Sequence, residues 1–130
     1  MKAVVDTNVF VSALMSTEGT PAKILSLILN GKIKIFYDNR ILFEYYDVLS
    51  REKFGFYDEI INGLMELIKK EGEYINAEYF TENFNDETDR KFYEVYKSAD
   101  ADYLITGNKK HFPKENAIVT PKEFLEKYQN

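Results

Sequence analysis

Cysteine is absent from the 130 residues, which excludes a disulfide framework and any thiolate metal site. No apolar run approaches the roughly 18 residues of a membrane span, so no transmembrane helix and no membrane partner is expected. A signal peptide is not expected either: only Lys2 precedes the first apolar run, and Asp6 interrupts it. Together these absences point to a cytoplasmic protein. Positive charge is also scarce, with 17 Lys and Arg against 22 Asp and Glu, a net charge of −5. A module that holds nucleic acid by electrostatics alone shows a basic footprint, and this chain does not. An enzyme that recruits divalent cations is compatible with such acidity, because the cations supply the attraction for phosphate.

Histidine is reduced to His111, which lacks a second histidine or a matched partner in sequence and reads as a structural or loop residue. The six glycines are scattered and form no phosphate-binding loop. A phosphoaspartate hydrolase needs a second acid two residues after the first, where Asn8 stands after Asp6. No repeat, low-complexity stretch or linker divides the chain. It reads as a single domain over 1–130 with enough apolar residues for a buried core.

What is present is an alternation of strand-like and helix-like segments. Ala3–Val5 is a first strand and Val9–Met15 a short helix. Thr20-Pro21 opens a second helix, which Gly31 stops. Ile33–Tyr37 is a strand, Asp38 caps a helix running to about Arg51, and Tyr57–Glu71 is a further helix ended by Gly72. Glu73–Asn76 is a short edge strand and Asn85–Ala99 one helix. Tyr103–Thr106 and Ala117–Val119 are strands, and Thr120-Pro121-Lys122-Glu123 opens the last helix with a capping box. Such alternation implies an α/β fold with a mostly parallel sheet covered by helices on both faces. Ligands then bind at the carboxyl ends of the strands, near Asp6 and Thr106.

Three acids are candidates to meet there. Asp6 follows the first strand directly. Glu44 falls about 40° from the edge of the stripe formed by Ile41, Leu42, Tyr45, Val48 and Leu49, while Asp47 lies on the solvent side. Asp89 shares a face with Phe92 and Tyr96. Thr106-Gly107-Asn108 adds a hydroxyl, an amide and a close backbone approach. Each has an ordinary alternative: a cap for Asp6 and Asp89, a helix surface for Glu44, a plain turn for the tripeptide. As a set, these oxygens suit Mg²⁺ or Mn²⁺ and the activation of water against a phosphodiester. Asp86 and Glu87 read as helix-start acids. Arg51, Lys53 and Lys109 are secondary candidates for phosphate contact, with Lys109 and Lys110 otherwise solvated.

The run Val4-Val5-Asp6-Thr7-Asn8-Val9-Phe10, the helix Ile41 through Arg51, Asp86 through Phe92, Ala101 through Asn108 and Ile118 through Leu125 resemble, in order, the segments of a PIN domain. The chain is most similar to the small stand-alone members of toxin–antitoxin systems. The resemblance implies a three-layer α/β/α sandwich and a metal-dependent endoribonuclease acting on single-stranded or structured RNA. It implies Asp6, Glu44 and Asp89 as catalytic and metal-ligating acids; Thr106, Asn8, Arg51 and Lys109 are the candidate substrate contacts beside them. Asn108 stands where many members carry a fourth aspartate, which bears on a second metal, and Asp86 is an auxiliary acid. It further implies a homodimer and a cognate antitoxin protein. The departure at Asn108 keeps open a non-catalytic RNA- or protein-binding module, and a DNA or structure-specific nuclease would use the same acids.

Overall fold

Ala3, Val4 and Val5 carry apolar side chains to both faces, the pattern of a strand buried in the middle of a parallel sheet. A computed structural model, which describes residues 1–129, places them there with 0% exposure. Strand β1 (Lys2–Val5) is flanked by β2 (Lys34–Tyr37) and β4 (Tyr103–Ile105). Strands β3 (Glu73–Tyr74) and β5 (Ile118–Val119) form the edges, in the all-parallel order β3-β2-β1-β4-β5. Two-residue edges offer little backbone for unwanted pairing.

The helices are α1 (Thr7–Met15), α2 (Thr20–Leu29), α3 (Asn39–Leu49), α4 (Asp58–Glu71), α5 (Arg90–Ser98) and α6 (Pro121–Gln129). Helix α5 packs across β1, β2 and β4 and touches α3, while α2 packs against both α1 and α6. The expected three-layer α/β/α architecture is therefore observed. None of the described helices is long and apolar enough to cross a membrane.

Local chemistry sets the boundaries. Asp38 caps α3 by accepting a hydrogen bond from the Ile41 N–H at 3.1 Å. The capping box before α6 is reciprocal: Glu123 N–H donates to Thr120 Oγ1 at 3.1 Å, and Thr120 N–H donates to Glu123 Oε1 at 2.9 Å. Gly31 ends α2 with a φ of 75°, a left-handed turn that favours glycine.

Gly72 is fixed by space. A Cβ there would lie 2.5 Å from the Ile68 carbonyl oxygen and 2.7 Å from that of Ile35, so α4 meets β2 backbone to backbone. Gly72→Ala is expected to destabilise the domain by about 1–3 kcal/mol through overpacking. A lower urea midpoint with an unchanged slope would show it; an unchanged midpoint would contradict it.

Two expectations are corrected. The region 85–99 is not one helix: a 3-10 turn, Glu87–Asp89, precedes α5. Asp86 is the reason, because its carboxylate takes up the Thr88 N–H at 2.9 Å and sets the start there. The expected strand Glu73–Asn76 shrinks to Glu73–Tyr74, and 75–86 runs without regular structure. Side chains of α5 tie that segment down. Glu94 accepts the Phe80 N–H at 3.0 Å, Arg90 donates to the Phe80 carbonyl, and Ser98 Oγ accepts the Glu78 N–H at 2.8 Å.

Candidate active site

β1 ends by pairing one residue past its last strand position, with Asp6 N–H donating to the Ile105 carbonyl at 2.9 Å. Asp6 and Thr106 thus emerge side by side at the carboxyl edge of the sheet. Asp6 occupies the N-cap position of α1 yet makes no capping bond with its side chain. Its carboxylate instead accepts the Thr106 hydroxyl at 2.7 Å and Asn8 Nδ2 at 3.3 Å. The Asn108 N–H donates to Thr106 Oγ1 at 3.0 Å, which leaves the hydroxyl proton to Asp6. Asn8 ties the two loops together, since its Oδ1 accepts the Gly107 N–H at 3.1 Å.

Asp6 is only 6% exposed. Burial pushes its carboxyl up to about 6; the Thr106 hydroxyl opposes this, and the charges of Asp89 and Glu44 add to it. Behind Asp6 lies Tyr45, fully buried, whose hydroxyl donates to the Val5 carbonyl.

Glu44 points off the rim of α3 toward Asp6, as its position beside the apolar stripe predicts. It accepts the Thr7 hydroxyl, and Lys91 Nζ stands 2.7 Å from its Oε1. Asp89 is held partly buried, and its Oδ2 has no hydrogen-bond partner among the described residues. His111 Nδ1 lies 3.3 Å from that oxygen, at ion-pair distance. Burial and then the Asp86 charge raise the Asp89 carboxyl above its ordinary value, against His111 and Lys91.

The remaining candidates are placed as follows. Asp86 is exposed and bonded to both the N–H and hydroxyl of Thr88, which holds it below the usual carboxylate range. Asn108 is exposed and contributes its backbone N–H. Arg51 pairs with Asp47 at 3.5 Å, and both line the cleft that holds Asp6 and Glu44, a space of about 1040 Å³ between α1 and α3. Lys53 lies over the Phe54 ring. Lys109 is bound to Glu123 at 3.0 Å and lines a different cavity, beside β5 and α6.

Sequence reasoning missed Lys91 and the contact of His111 with Asp89. Lys91 sits two residues from Asp89, about 200° round a helix, so spacing gives no reason to aim it at Glu44. Its flexible stem folds back over the Thr88 carbonyl to reach it. Arg40 was also unread: it bridges Asp38 at 2.7 Å and the buried Glu94 at 2.8 Å.

Asp6, Glu44 and Asp89 are carboxylates of the kind that suit a hard divalent cation, and the buried Oδ2 of Asp89 faces only His111. Among the described residues no three acidic or histidine side chains are drawn close enough to hold an ion together; Lys91 stands against Glu44 and His111 against Asp89. The donors fit such a cation in chemistry, and Glu44 is engaged by Lys91.

A PIN domain family model matches residues 2–110, a span that includes Asp6, Glu44, Asp89 and the Thr106–Asn108 turn. An uncharacterized protein of Methanocaldococcus jannaschii is 34% identical, in a match covering 99% of this chain and 92% of the relative. On the parallel sheet, the acids at its carboxyl edge and a family match over most of its length, the chain belongs to the PIN domain family, whose members are generally nucleases.

Proposed function

We propose that this protein is a metal-dependent endoribonuclease that hydrolyses RNA phosphodiester bonds, serving as the toxin of a toxin–antitoxin pair. The observation that carries the reading is the buried Asp6 carboxylate at the sheet edge, pushed up to about 6 chiefly by burial, with the charges of Asp89 and Glu44 adding to the shift. Asp6, Glu44 and Asp89 would hold Mg²⁺ or Mn²⁺. Such an ion, when bound, supplies Lewis-acid charge for activating water and for offsetting charge on the scissile phosphate.

The protein's own groups do the positioning. Thr106 and Asn8 fix the Asp6 carboxylate through two donated hydrogen bonds, so it has one orientation before substrate arrives. Thr7 does the same for Glu44. Lys91, once off Glu44, has an ammonium within the same cleft to meet a phosphate oxygen. Homodimer formation and an antitoxin partner belong to the same proposal, and their support is the family likeness.

Purified protein is expected to cut RNA in millimolar Mn²⁺ or Mg²⁺ and to stop in EDTA. Cutting that persists in chelator overturns the metal-dependent reading. The Lys91–Glu44 pair favours a second reading, a binding module whose acid site is filled by its own lysine. Calorimetry showing no Mn²⁺ uptake, with RNA still bound and uncut, would establish that alternative.

A further inference from the structure

The cleft that holds Asp6 and Glu44 has a second wall that the chemistry above leaves unused. Val11, Phe43, Val48 and Phe54 line it. Phe43, in the middle of α3, is 71% exposed and joins Val11, Val48 and Phe54 in one apolar wall. Phe54 stacks on Phe56 with ring centroids 5.5 Å apart and carries Lys53 over its ring, so its faces are already engaged. Phe43 adjoins Glu44 in sequence and shares its cleft.

We infer that Phe43 is a stacking platform for a nucleobase of single-stranded RNA, next to the phosphate that Asp6 and Glu44 address. This rests on the ribonuclease reading and adds the residue that selects unpaired substrate. Charge around the cleft supports it. Arg40 is committed to Asp38 and Glu94, and Lys91 to Glu44. Arg51, paired only with exposed Asp47 at 3.5 Å, is the cation most readily released to a phosphate. With Arg51 the one cation among the described residues lining this cleft that is paired only at the exposed surface while Lys91 stays on Glu44, and a net charge of −5, the cleft draws little affinity from the RNA backbone. The apolar wall must then supply much of it, and a base offers an apolar face only when it is unpaired.

Two consequences separate this from simple electrostatic binding. Affinity falls with the loss of bases even when every phosphate is kept. Salt dependence is shallow, and replacing Phe43 leaves its slope unchanged, whereas Arg51→Gln lowers the slope by about one.

The test uses full-length protein carrying Asp6→Asn, so that RNA is not consumed, and reads fluorescence anisotropy. The probes are a labelled oligouridylate of about eight nucleotides and an abasic oligomer of equal length. Adding Phe43→Ala is expected to weaken the oligouridylate about 5- to 50-fold and to leave the abasic oligomer unchanged. Phe43→Trp is expected to keep or tighten binding. Equal affinity for the two oligomers, or an oligouridylate affinity indifferent to Phe43→Ala, overturns the inference. Cleavage of the oligouridylate by protein with Asp6 intact is followed in Mn²⁺ alongside. Cleavage with base-independent binding removes the platform and keeps the nuclease; base-dependent binding without cleavage does the reverse.

Discussion

Asp6→Asn should melt about 5 °C above the parent protein at pH 7.5 in chelator, while losing about 100-fold or more of its RNA cleavage. The stability gain follows from the position of the acid. Its carboxyl titrates near 6 in the fold against 3.8 for the free group, chiefly because it is buried. Above that pH the folded chain carries a desolvated charge that the unfolded chain holds in water. One pKa unit corresponds to about 1.4 kcal/mol, so the penalty approaches about 3 kcal/mol. Asparagine removes the charge and still offers Thr106 an acceptor, with part of the gain lost from the weaker neutral hydrogen bond.

The pH dependence has a definite sign. Between about pH 4 and pH 6 the folded state binds more protons than the unfolded state at this group, so parent stability falls as pH rises through that window. The variant lacks that fall, and the two melting curves converge near pH 4. Millimolar Mn²⁺ should raise the melting temperature of the parent and not of the variant, since only a site with its acid intact gains by mass action. Thermal melts from pH 4 to 8, with and without metal, check all of this. An Asp6→Asn protein less stable than the parent in chelator at pH 7.5 would contradict it.

The second large effect concerns Arg40. It neutralises two carboxylates: Asp38, which caps α3, and Glu94, whose side chain is 3% exposed. Glu94 also holds the Phe80 N–H of the irregular segment 75–86. Arg40→Met leaves both charges without their cation. Breaking a buried pair from one side costs roughly 3–5 kcal/mol. Arg40 itself is about half exposed, at 48%, so water compensates part and about 2–4 kcal/mol is expected. Glu94→Gln in the same chain should recover some of the loss, because the neutral amide keeps an acceptor for Phe80. Urea unfolding of the four proteins of this cycle measures the coupling. Equal stability of Arg40→Met and parent would show that the carboxylates need no counter-ion.

What was legible in the sequence was local. Asp6 is readable because an apolar run ends on it, Asp38 and the Thr120–Glu123 box because caps act within three residues. The place of Glu44 on the rim of the apolar stripe follows from helical period, while its grouping with Asp6 came with the family likeness. The misreadings share another character. The 85–99 region looked like one helix because acids suit a helix start and Asp89 continues the face of Phe92 and Tyr96, and the cap at Asp86 competes with that start on nearly equal terms. Lys91 reaches Glu44 with a flexible stem, and Arg40 finds Glu94 54 residues away. Neither contact leaves a periodic trace. Asn8 was read as a substrate contact and as the absence of a second acid; its part as a bridge from Asp6 to Gly107 depends on a loop 99 residues distant.

The place of β1 in the sheet has a consequence for synthesis. Within this sheet β1 is made before its neighbours and becomes the central strand, and β4, which closes its open side, is made after β2 and β3. Thr106 is separated from Asp6 by 100 residues, so this contact closes a loop spanning most of the chain. Contacts of such span form slowly and late. The nascent protein therefore exposes one flank of its most apolar strand until residues 103–105 leave the ribosome, which makes this the interval of greatest aggregation risk. A chain released just after Asp89 carries Asp6, Glu44 and Asp89 but lacks Thr106, the hydroxyl that holds Asp6 in the fold.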